Sequence, residues 1–328
     1  MKAIAVRNGK GSADDLYITD IPMPELKDGD VLVRVYAFGL NRMDLIQREG
    51  HYPLPPQAPV TLGVEFSGYI EKVSPGVNDF HIKQKVFGLA YGGAYAEYIA
   101  VSHKMISDLP DKMSMEEAAG VCEVWFTAIQ ALYTIGNLQK GQNVLFHAGA
   151  SGVGNAAIQL VKNQGGTVYT TAGSDEKCRF CESLGAKKAV NYKKEDFAEV
   201  IAKDVGENGI DLIVDVIGAP YLAKNITLAA RDGKIVQLAF MGGANIENLN
   251  LGPILFKRLQ FVGSTLRSRD ASYQGLLRDK FNEIALPKLA DGTFKVVIDT
   301  VDSWKNITKM HKRMESNATT GKLICIVD

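Results

Sequence analysis

The sequence has few cysteines, no long apolar run and no excess of either charge. Only four of its 328 residues are cysteine, too few and too scattered for a disulfide framework in a chain of this length. Charges interrupt every apolar stretch before it reaches the roughly 18–20 residues that a membrane-spanning helix needs. The 37 basic and 37 acidic side chains cancel, so the overall charge gives no reason to expect nucleic acid or an anionic membrane as partner.

The start of the chain and its length indicate a cytoplasmic protein of two domains. Residues 1–7 form a short alternating apolar stretch, which is typical of a β-strand and not of a signal peptide. The length is about twice that of a typical domain. We therefore expect an intracellular chain whose two domains each bury a core of their own.

The first third of the chain predicts a mainly β domain. Short apolar stretches, of which residues 31–37 are an example, alternate with Pro and Gly turns. Ser114 and Glu117 then form a capping-box pattern, and the periodic segment after them predicts one helix to about Thr134, ended by Gly136. We expect this helix to mark the domain boundary.

From residue 143 onward strands and helices alternate, with a Gly-rich turn after the first strand. Strands are predicted over residues 144–147, 167–171, 189–190, 212–215 and 235–239. Repeated βα units of this kind predict a parallel, doubly wound sheet. The last strand, over residues 322–327, alternates like those of the first domain, so we expect the C-terminal part to return to that domain.

The turn after the first of these strands predicts a dinucleotide site. Gly149, Gly152 and Gly154 allow a tight turn and a close approach of backbone to a pyrophosphate, and Ser151 and Val153 lie between them. The spacing is not G-x-G-x-x-G. Its place between a strand and a helix nevertheless favours nucleotide binding over a purely structural loop.

The end of the second strand predicts the choice of cofactor. An NAD site normally carries an acidic residue there, but Gly173 and Ser174 occupy that position and Lys177 follows one helical turn later. A hydroxyl and a cation suit a 2′-phosphate, which favours NADPH. Asp175 and Glu176 lie beside them, so a capped and solvated helix start is the alternative interpretation.

Five motifs together resemble a known family. They are residues 41–44, 63–65, 147–160, 191–197 and 266–269. These motifs look like those of the zinc-free quinone oxidoreductase branch of the medium-chain dehydrogenase/reductase superfamily, and the similarity covers essentially the whole chain. It is closest to the p53-inducible members, which also carry Ser at the position of Ser151.

The resemblance implies an α/β protein with two domains. A central doubly wound Rossmann domain over residues 121–267 would bind NADPH. A mainly β, GroES-like catalytic domain would be built from both chain ends, residues 1–120 and 268–328. The family is commonly homodimeric, so a homodimer is expected.

The residues at the positions of the family's metal ligands predict no zinc. Zinc members carry a Cys and a Gly-His-Glu motif, whereas this chain has Asn41 in the first region and Val64 in place of the imidazole. No cysteine precedes Cys122, so a structural zinc loop is missing as well.

The remaining cysteines and histidines are predicted to be structural. Cys178 and Cys181 form a C-x-x-C pattern inside a helix, away from the strand-to-helix turn that redox motifs use. His147 is expected to pack at a strand end. The other histidines, at 51, 81, 103 and 311, have no evident partners.

The resemblance also implies the site residues. Asn41, Asp44 and Tyr52 would form the catalytic wall, with Tyr52 as the expected hydrogen-bond donor; the alternatives are loop-stabilising roles and a salt bridge for Asp44. The cofactor would be bound by Gly149, Ser151, Gly152, Val153, Gly154, Gly173, Ser174, Lys177, Tyr192, Gly218, Phe240, Met241, Gly242, Leu266, Ser268 and Arg269.

The predicted function is NADPH-dependent reduction of a quinone, by hydride or by single electrons, without a metal. A quinone is electron-poor and accepts hydride without a Lewis acid. Two alternatives stay open: an NADPH-dependent alkenal or enone reductase, and a non-catalytic NADPH-binding protein with a structural or RNA-binding role. The expected partner is a small quinone or enone, not a membrane or nucleic acid.

Overall fold

The computed structural model describes all 328 residues, which divide into two compact units. The first unit comprises residues 1–126 and 266–328, and the second comprises residues 127–265. None of the helices combines the length and the apolar character needed to span a bilayer.

Fifteen strands form the sheets of the two units. In chain order they are β1 (Lys2–Val6), β2 (Leu16–Asp20), β3 (Asp30–Leu40), β4 (Glu65–Val73), β5 (Lys85–Leu89), β6 (Tyr98–Ser102), β7 (Ile106–Asp108), β8 (Asn143–Phe146), β9 (Thr167–Ala172), β10 (Lys188–Asn191), β11 (Ile210–Asp215), β12 (Ala229–Gln237), β13 (Gln260–Gly263), β14 (Ile298–Ser303) and β15 (Lys322–Ile326).

Eleven α-helices connect the strands. They are α1 (Arg42–Arg48), α2 (Met115–Ala118), α3 (Cys122–Ile129), α4 (Gly152–Gln164), α5 (Asp175–Leu184), α6 (Phe197–Val205), α7 (Ala219–Leu228), α8 (Gly252–Phe256), α9 (Ala271–Ile284), α10 (Leu286–Ala290) and α11 (Ile307–Glu315). A π-helical turn, Gln130–Ile135, continues α3.

The first unit is organised around β3. This strand pairs antiparallel with β4, β6 and β15, in a sheet of order β14-β15-β3-β4-β5-β7 with β6 beside β3. Val31, Val33 and Val35 are buried, as suits β-branched residues in a central strand. Because β15 lies between β14 and β3, the C-terminal part supplies an inner strand of this sheet.

The second unit is a parallel sheet of six strands in the order β10-β9-β8-β11-β12-β13. Its central strands are mostly apolar, because helices cover both faces of the sheet. Leu145 of β8, Ile213 of β11 and Ile235 of β12 are all buried. The strand order reverses between β8 and β11. Their carboxyl ends therefore flank the switch point at which doubly wound sheets bind ligands.

The helix predicted from Ser114 to about Thr134 is not continuous. The capping box forms, with the Glu117 N–H donating to Ser114 Oγ at 3.1 Å, but α2 ends at Ala118 and α3 starts at Cys122. A Cβ at Gly120 would lie 2.7 Å from Ile324 Cδ1, so the break packs closely on β15. Tertiary packing here overrides local helix propensity.

Candidate functional site

The turn after β8 is packed closely against β9. Ala148 adopts a left-handed φ of 61°, and a Cβ at Gly149 would overlap Thr170 Oγ1. Ser151 caps α4 by accepting the Gly154 N–H at 3.1 Å. A Cβ at Gly154 would overlap the Ala148 carbonyl oxygen. The turn can therefore place the first N–H groups of α4 close to an anion.

His147 is a buried structural residue, as predicted. Its Nε2 lies 2.8 Å from Asn225 Oδ1, and its Nδ1 lies 3.1 Å from Thr171 Oγ1. The Asn225 amide in turn donates to Asp215 Oδ2 at 3.0 Å. Burial lowers the pKa of His147, so the ring is neutral and links β8 to α7.

The loop after β11 is held by that same network. Asp215 Oδ1 accepts the Ile217 N–H at 2.6 Å and the Gly218 N–H at 3.2 Å. Gly218 has a φ of 90°, which favours glycine. The Gly242 N–H donates to the Ile217 carbonyl at 2.8 Å. The segment after β12 is thereby joined to the segment after β11.

Two large apolar side chains are exposed beside this loop. Phe240 is 55% exposed and Met241 is 52% exposed. The strand predicted over residues 235–239 ends earlier, at Gln237, whose side-chain amide donates to the Asp215 and Ala239 carbonyls. Phe240 and Met241 therefore lie in the loop that follows the carboxyl end of β12.

The end of β9 offers a hydroxyl, a phenol and a lysine. Ser174 Oγ caps α5 by accepting the Lys177 N–H at 3.2 Å. A Cβ at Gly173 would lie 2.9 Å from Tyr192 Oη, so only glycine leaves this phenol in place. Tyr192 itself is 46% exposed. These four predicted residues come together at one edge of the sheet.

Asp175, the acidic residue next to Ser174, is bound by other side chains. Asp175 accepts from Lys194 Nζ at 2.5 Å and from Asn191 Nδ2 at 2.6 Å. Lys194 and Asn191 hold the pKa of Asp175 below its usual range. Lys194 and Asn191 therefore engage the carboxylate that would otherwise face a phosphate at Ser174 unpaired.

The last three predicted cofactor residues belong to the first unit. Leu266 is buried, Ser268 is exposed, and the guanidinium of Arg269 lies 4.6 Å from the Tyr273 ring centroid. Arg267, between them, was not singled out from the sequence although it is buried.

Arg267 is tied to two segments of the first unit. Its Nε donates to the Tyr91 carbonyl at 2.6 Å and its Nη1 to Gln47 Oε1 at 2.8 Å. Its Cζ lies 5.2 Å from the Tyr52 ring centroid. Burial raises the pKa of Tyr52, so this predicted donor keeps its proton well above neutral pH.

Asn41 and Asp44 form the start of α1. The Asn41 N–H donates to Asp44 Oδ2 at 2.8 Å, and the other carboxylate oxygen accepts the Gly63 N–H at 3.2 Å. The Tyr95 hydroxyl donates to Asp44 Oδ2 at 3.2 Å. Asp44 is fully buried, and burial raises its pKa to about 6.

A buried ammonium lies at the centre of this polar cluster. Lys322 Nζ donates to Glu65 Oε1 at 2.5 Å, to Asn41 Oδ1 at 2.7 Å and to the Leu40 carbonyl at 2.7 Å. Glu65 Oε1 also accepts from Asn41 Nδ2, and Glu65 Oε2 accepts the Glu123 N–H. No group of three or more His, Cys, Asp or Glu side chains is arranged to hold a metal ion.

His311 does have partners, contrary to the sequence-based expectation. Its Nδ1 lies 3.2 Å from Arg48 Nη1, and its Nε2 lies 3.3 Å from Tyr95 Oη. A guanidinium can only donate, so Nδ1 accepts and Nε2–H donates to the phenol. This fixed order, Arg48 to His311 to Tyr95 to Asp44, orients the Asp44 carboxylate.

The C-x-x-C cysteines are buried in α5, as predicted. Cys178 and Cys181 are free thiols. Burial raises the pKa of Cys181 to about 12 and also raises that of Cys178. Neither thiol is therefore a reactive nucleophile at neutral pH.

Comparison with known proteins assigns the two parts of the chain to families. Residues 27–111 match the alcohol dehydrogenase GroES-like domain, and residues 152–282 match the zinc-binding dehydrogenase family. Human quinone oxidoreductase is 29% identical over 332 residues, covering 100% of this chain and 98% of that protein.

Solved structures give the same result. Escherichia coli quinone oxidoreductase in complex with NADPH has a TM-score of 0.88 and 25% identity, with 100% of both chains covered. A NAD-dependent alcohol dehydrogenase has a TM-score of 0.87 and 28% identity, again over 100% of both chains. The predicted fold class, a GroES-like unit with a Rossmann unit, is confirmed.

Proposed function

The chain belongs to the quinone oxidoreductase branch of the medium-chain dehydrogenase/reductase superfamily, and we propose that it reduces quinones with NADPH. The observation that carries this proposal is the buried Lys322 ammonium. Its Nζ donates to Asn41, in the region of the superfamily's Cys ligand, and to Glu65, the neighbour of Val64, which stands in place of the imidazole. An acceptor that needs no Lewis acid, as a quinone does not, suits such a cluster.

The second unit fits a dinucleotide cofactor. Its Gly149 turn leaves no room for a side chain, and α4 begins directly after it with N–H groups available to a pyrophosphate. The exposed Phe240 and Met241 would contact the nicotinamide end. When bound, this cofactor supplies the hydride.

NADPH is the proposed form of the cofactor. Gly173, Ser174, Lys177 and Tyr192 would surround the adenosine 2′-phosphate, and the nearest acid, Asp175, is paired with Lys194. A lysine near the phosphate contributes a charge-assisted contact that NADH cannot make.

The acceptor is proposed to bind on the first unit, against Tyr52 and Arg267. The half-buried ring of Tyr52, supported by the guanidinium of the buried Arg267, would offer a flat surface to a quinone ring. The Tyr52 hydroxyl, protonated at neutral pH, would donate to the oxygen on which charge develops. Asn41 and Asp44 are proposed to hold this wall in place, because their polar atoms are bound within the cluster.

A homodimer is proposed from the free edge of the second sheet. β13 pairs only with β12, and Phe261 on it is 48% exposed. Leu255 and Phe256 in the preceding helix α8 are 73% and 74% exposed. Pairing of two β13 edges would cover this surface. Sedimentation velocity, which measures the mass in solution, tests it.

A steady-state screen tests the activity. Alkyl-substituted para-benzoquinones and α,β-unsaturated ketones are each offered with NADPH and with NADH. Turnover of quinones with NADPH is the expected result. Faster turnover of the enones would identify an enone reductase. Binding of NADPH without turnover of either class would indicate a non-catalytic protein.

A further inference from the structure

Gln237 has a side-chain oxygen without a partner at the carboxyl end of β12. The residue is buried, and its Nε2 donates to the Asp215 carbonyl at 3.2 Å and to the Ala239 carbonyl at 2.6 Å. Both of these partners can only accept, so the nitrogen must face them and the orientation of the amide is fixed. The remaining atom, Oε1, accepts no hydrogen bond from the chain.

Ser264 has a second unpaired group at the end of the neighbouring strand. It follows β13 directly, and its N–H donates to the Gln237 carbonyl at 3.0 Å. Its buried Oγ has no hydrogen-bond partner in the chain. A hydroxyl can donate, whereas Gln237 Oε1 can only accept. The ends of β12 and β13 therefore offer one unused donor and one unused acceptor.

The space beside this pair of groups is open on the β13 side. Gly263 is paired in register with Gln237, and a Cβ built at Gly263 would meet no atom within 4 Å. Gly263 is also exposed. The loop with the exposed Phe240 begins three residues after Gln237, which holds it through the Ala239 carbonyl. A flat group can therefore approach the two strand ends over Gly263.

The two unpaired groups select the kind of ligand group that fits between them. Buried polar atoms without partners are costly and rare in folded proteins. These two lie at the carboxyl edge of a doubly wound sheet, where such sheets bind their ligands. A primary carboxamide satisfies both, because its carbonyl accepts and its NH₂ group donates. A phosphate or a carboxylate can only accept, and would leave Gln237 Oε1 unpaired.

We infer that Ser264 and Gln237 bind the carboxamide of the nicotinamide ring. Ser264 Oγ donates to the carboxamide carbonyl, and Gln237 Oε1 accepts from its NH₂ group. This role rests on the proposed nicotinamide cofactor. Gln237 acts twice, because its own NH₂ group ties the loop after β12 to the end of β11. Two contacts to the carboxamide fix the rotation of the ring about its bond to the ribose, and so determine which ring face is presented.

Equilibrium binding of three ligands tests each contact. NADPH carries the whole carboxamide, its reduced 3-acetylpyridine analogue has a methyl group in place of NH₂, and 2′-phospho-ADP-ribose lacks the ring. The wild type should bind NADPH roughly 3- to 10-fold more tightly than the analogue, as for one neutral hydrogen bond. Gln237→Met should remove this difference, because no acceptor remains. Ser264→Ala should weaken NADPH and the analogue alike by roughly 3- to 10-fold, because both keep the carbonyl.

Binding of 2′-phospho-ADP-ribose should be unchanged in both variants. Gln139→Met and Ser183→Ala, at exposed positions of the same unit, should match the wild type for all three ligands. Because NADH carries the same ring, the series without the 2′-phosphate is titrated alongside.

Three results would overturn the inference. They are equal wild-type affinity for the cofactor and its analogue, a preference that survives in Gln237→Met, and variants that bind 2′-phospho-ADP-ribose as weakly as they bind the cofactor. If the wild type binds neither NADPH nor NADH, the proposed function fails and this role fails with it. Cofactor binding that is insensitive to Gln237 and Ser264 refutes the carboxamide contacts alone.

Discussion

Tyr52 is the residue whose hydroxyl we expect to act in the transition state. It rests on Arg267, with 5.2 Å between the guanidinium carbon and the ring centroid. Tyr52→Phe keeps the ring and removes the donor, so kcat/KM for a quinone should fall by roughly 10- to 100-fold, as for one hydrogen bond of about 1.5–3 kcal/mol. Tyr17→Phe, at an exposed position, is the control. An unchanged kcat/KM would leave Tyr52 a packing role only.

Lys177 is the residue we expect to distinguish NADPH from NADH. Its helix start is capped by Ser174, and the adjacent Asp175 is paired with Lys194. Lys177→Ala should weaken NADPH binding about tenfold or more and leave NADH binding almost unchanged, because only NADPH carries the 2′-phosphate. Fluorescence titrations of both cofactors at one ionic strength measure this. Lys203→Ala, exposed on α6, serves as control. Equal weakening of both cofactors would contradict the assignment.

At the scale of elements, the contact between the β8 turn and α4 should govern binding of both cofactors. A methyl group at Gly154 would overlap the Ala148 carbonyl oxygen, so Gly154→Ala must move the helix start away from the turn. NADPH and NADH should both bind at least about tenfold more weakly, since each has the pyrophosphate. Thermal unfolding of the variant checks that the unit stays folded. Selective loss of NADPH alone would show that the turn does not hold the shared part of the cofactor.

Sequence analysis predicted the elements that neighbouring residues determine. It missed a helix break that depends on packing against a strand far away in the chain. The Gly149–Gly154 turn and the Ser114 cap follow from residues within a few positions, and both form as predicted. The interruption of the helix at Gly120 follows from β15, which is about two hundred residues away in the chain. That break allows α3 to start beside Glu65, so it also positions Glu123.

The candidate site was predictable only where a motif carries it. Asn41 and Asp44 stand in a recognisable segment. Arg267 lies within the motif of residues 266–269 but was not singled out from it, and Lys322 reaches the cluster from the far end of the chain. A lysine opening an otherwise apolar strand was the one available indication for Lys322. No spacing rule links His311 to Tyr95, which explains why its partners were missed.

For the whole molecule, His311 should contribute to unfolding in acid. Burial, and then the charge of Arg48, lower the pKa of His311 from 6.5 to about 3. As the pH falls from 6.5 toward 3, His311 takes up a proton in the unfolded chain but stays neutral in the folded protein. The folded state is therefore progressively destabilised over this range. Between about pH 7 and about pH 5 the free energy of unfolding should drop by about 2 kcal/mol more in the wild type than in His311→Gln.

Urea unfolding at both pH values measures this difference. His81→Gln replaces an exposed histidine and should keep the wild-type dependence. The raised pKa values of Asp44 and Glu123 act in the opposite direction, because protonation favours the folded state, and both acids are present in all three proteins. An equal drop in the free energy of unfolding for the wild type and His311→Gln would refute the prediction.

The position of β15 has a consequence for how the chain is made. β15 is an inner strand of the first sheet, and its Lys322 neutralises Glu65. On the ribosome these residues emerge only after the entire second unit, at about 5–20 residues per second. Until then Glu65 has no counter-ion and β3 has an open side. The second unit can fold while it is being synthesised, but the first must wait in an incomplete form, and this nascent stage is where a chaperone would be most needed.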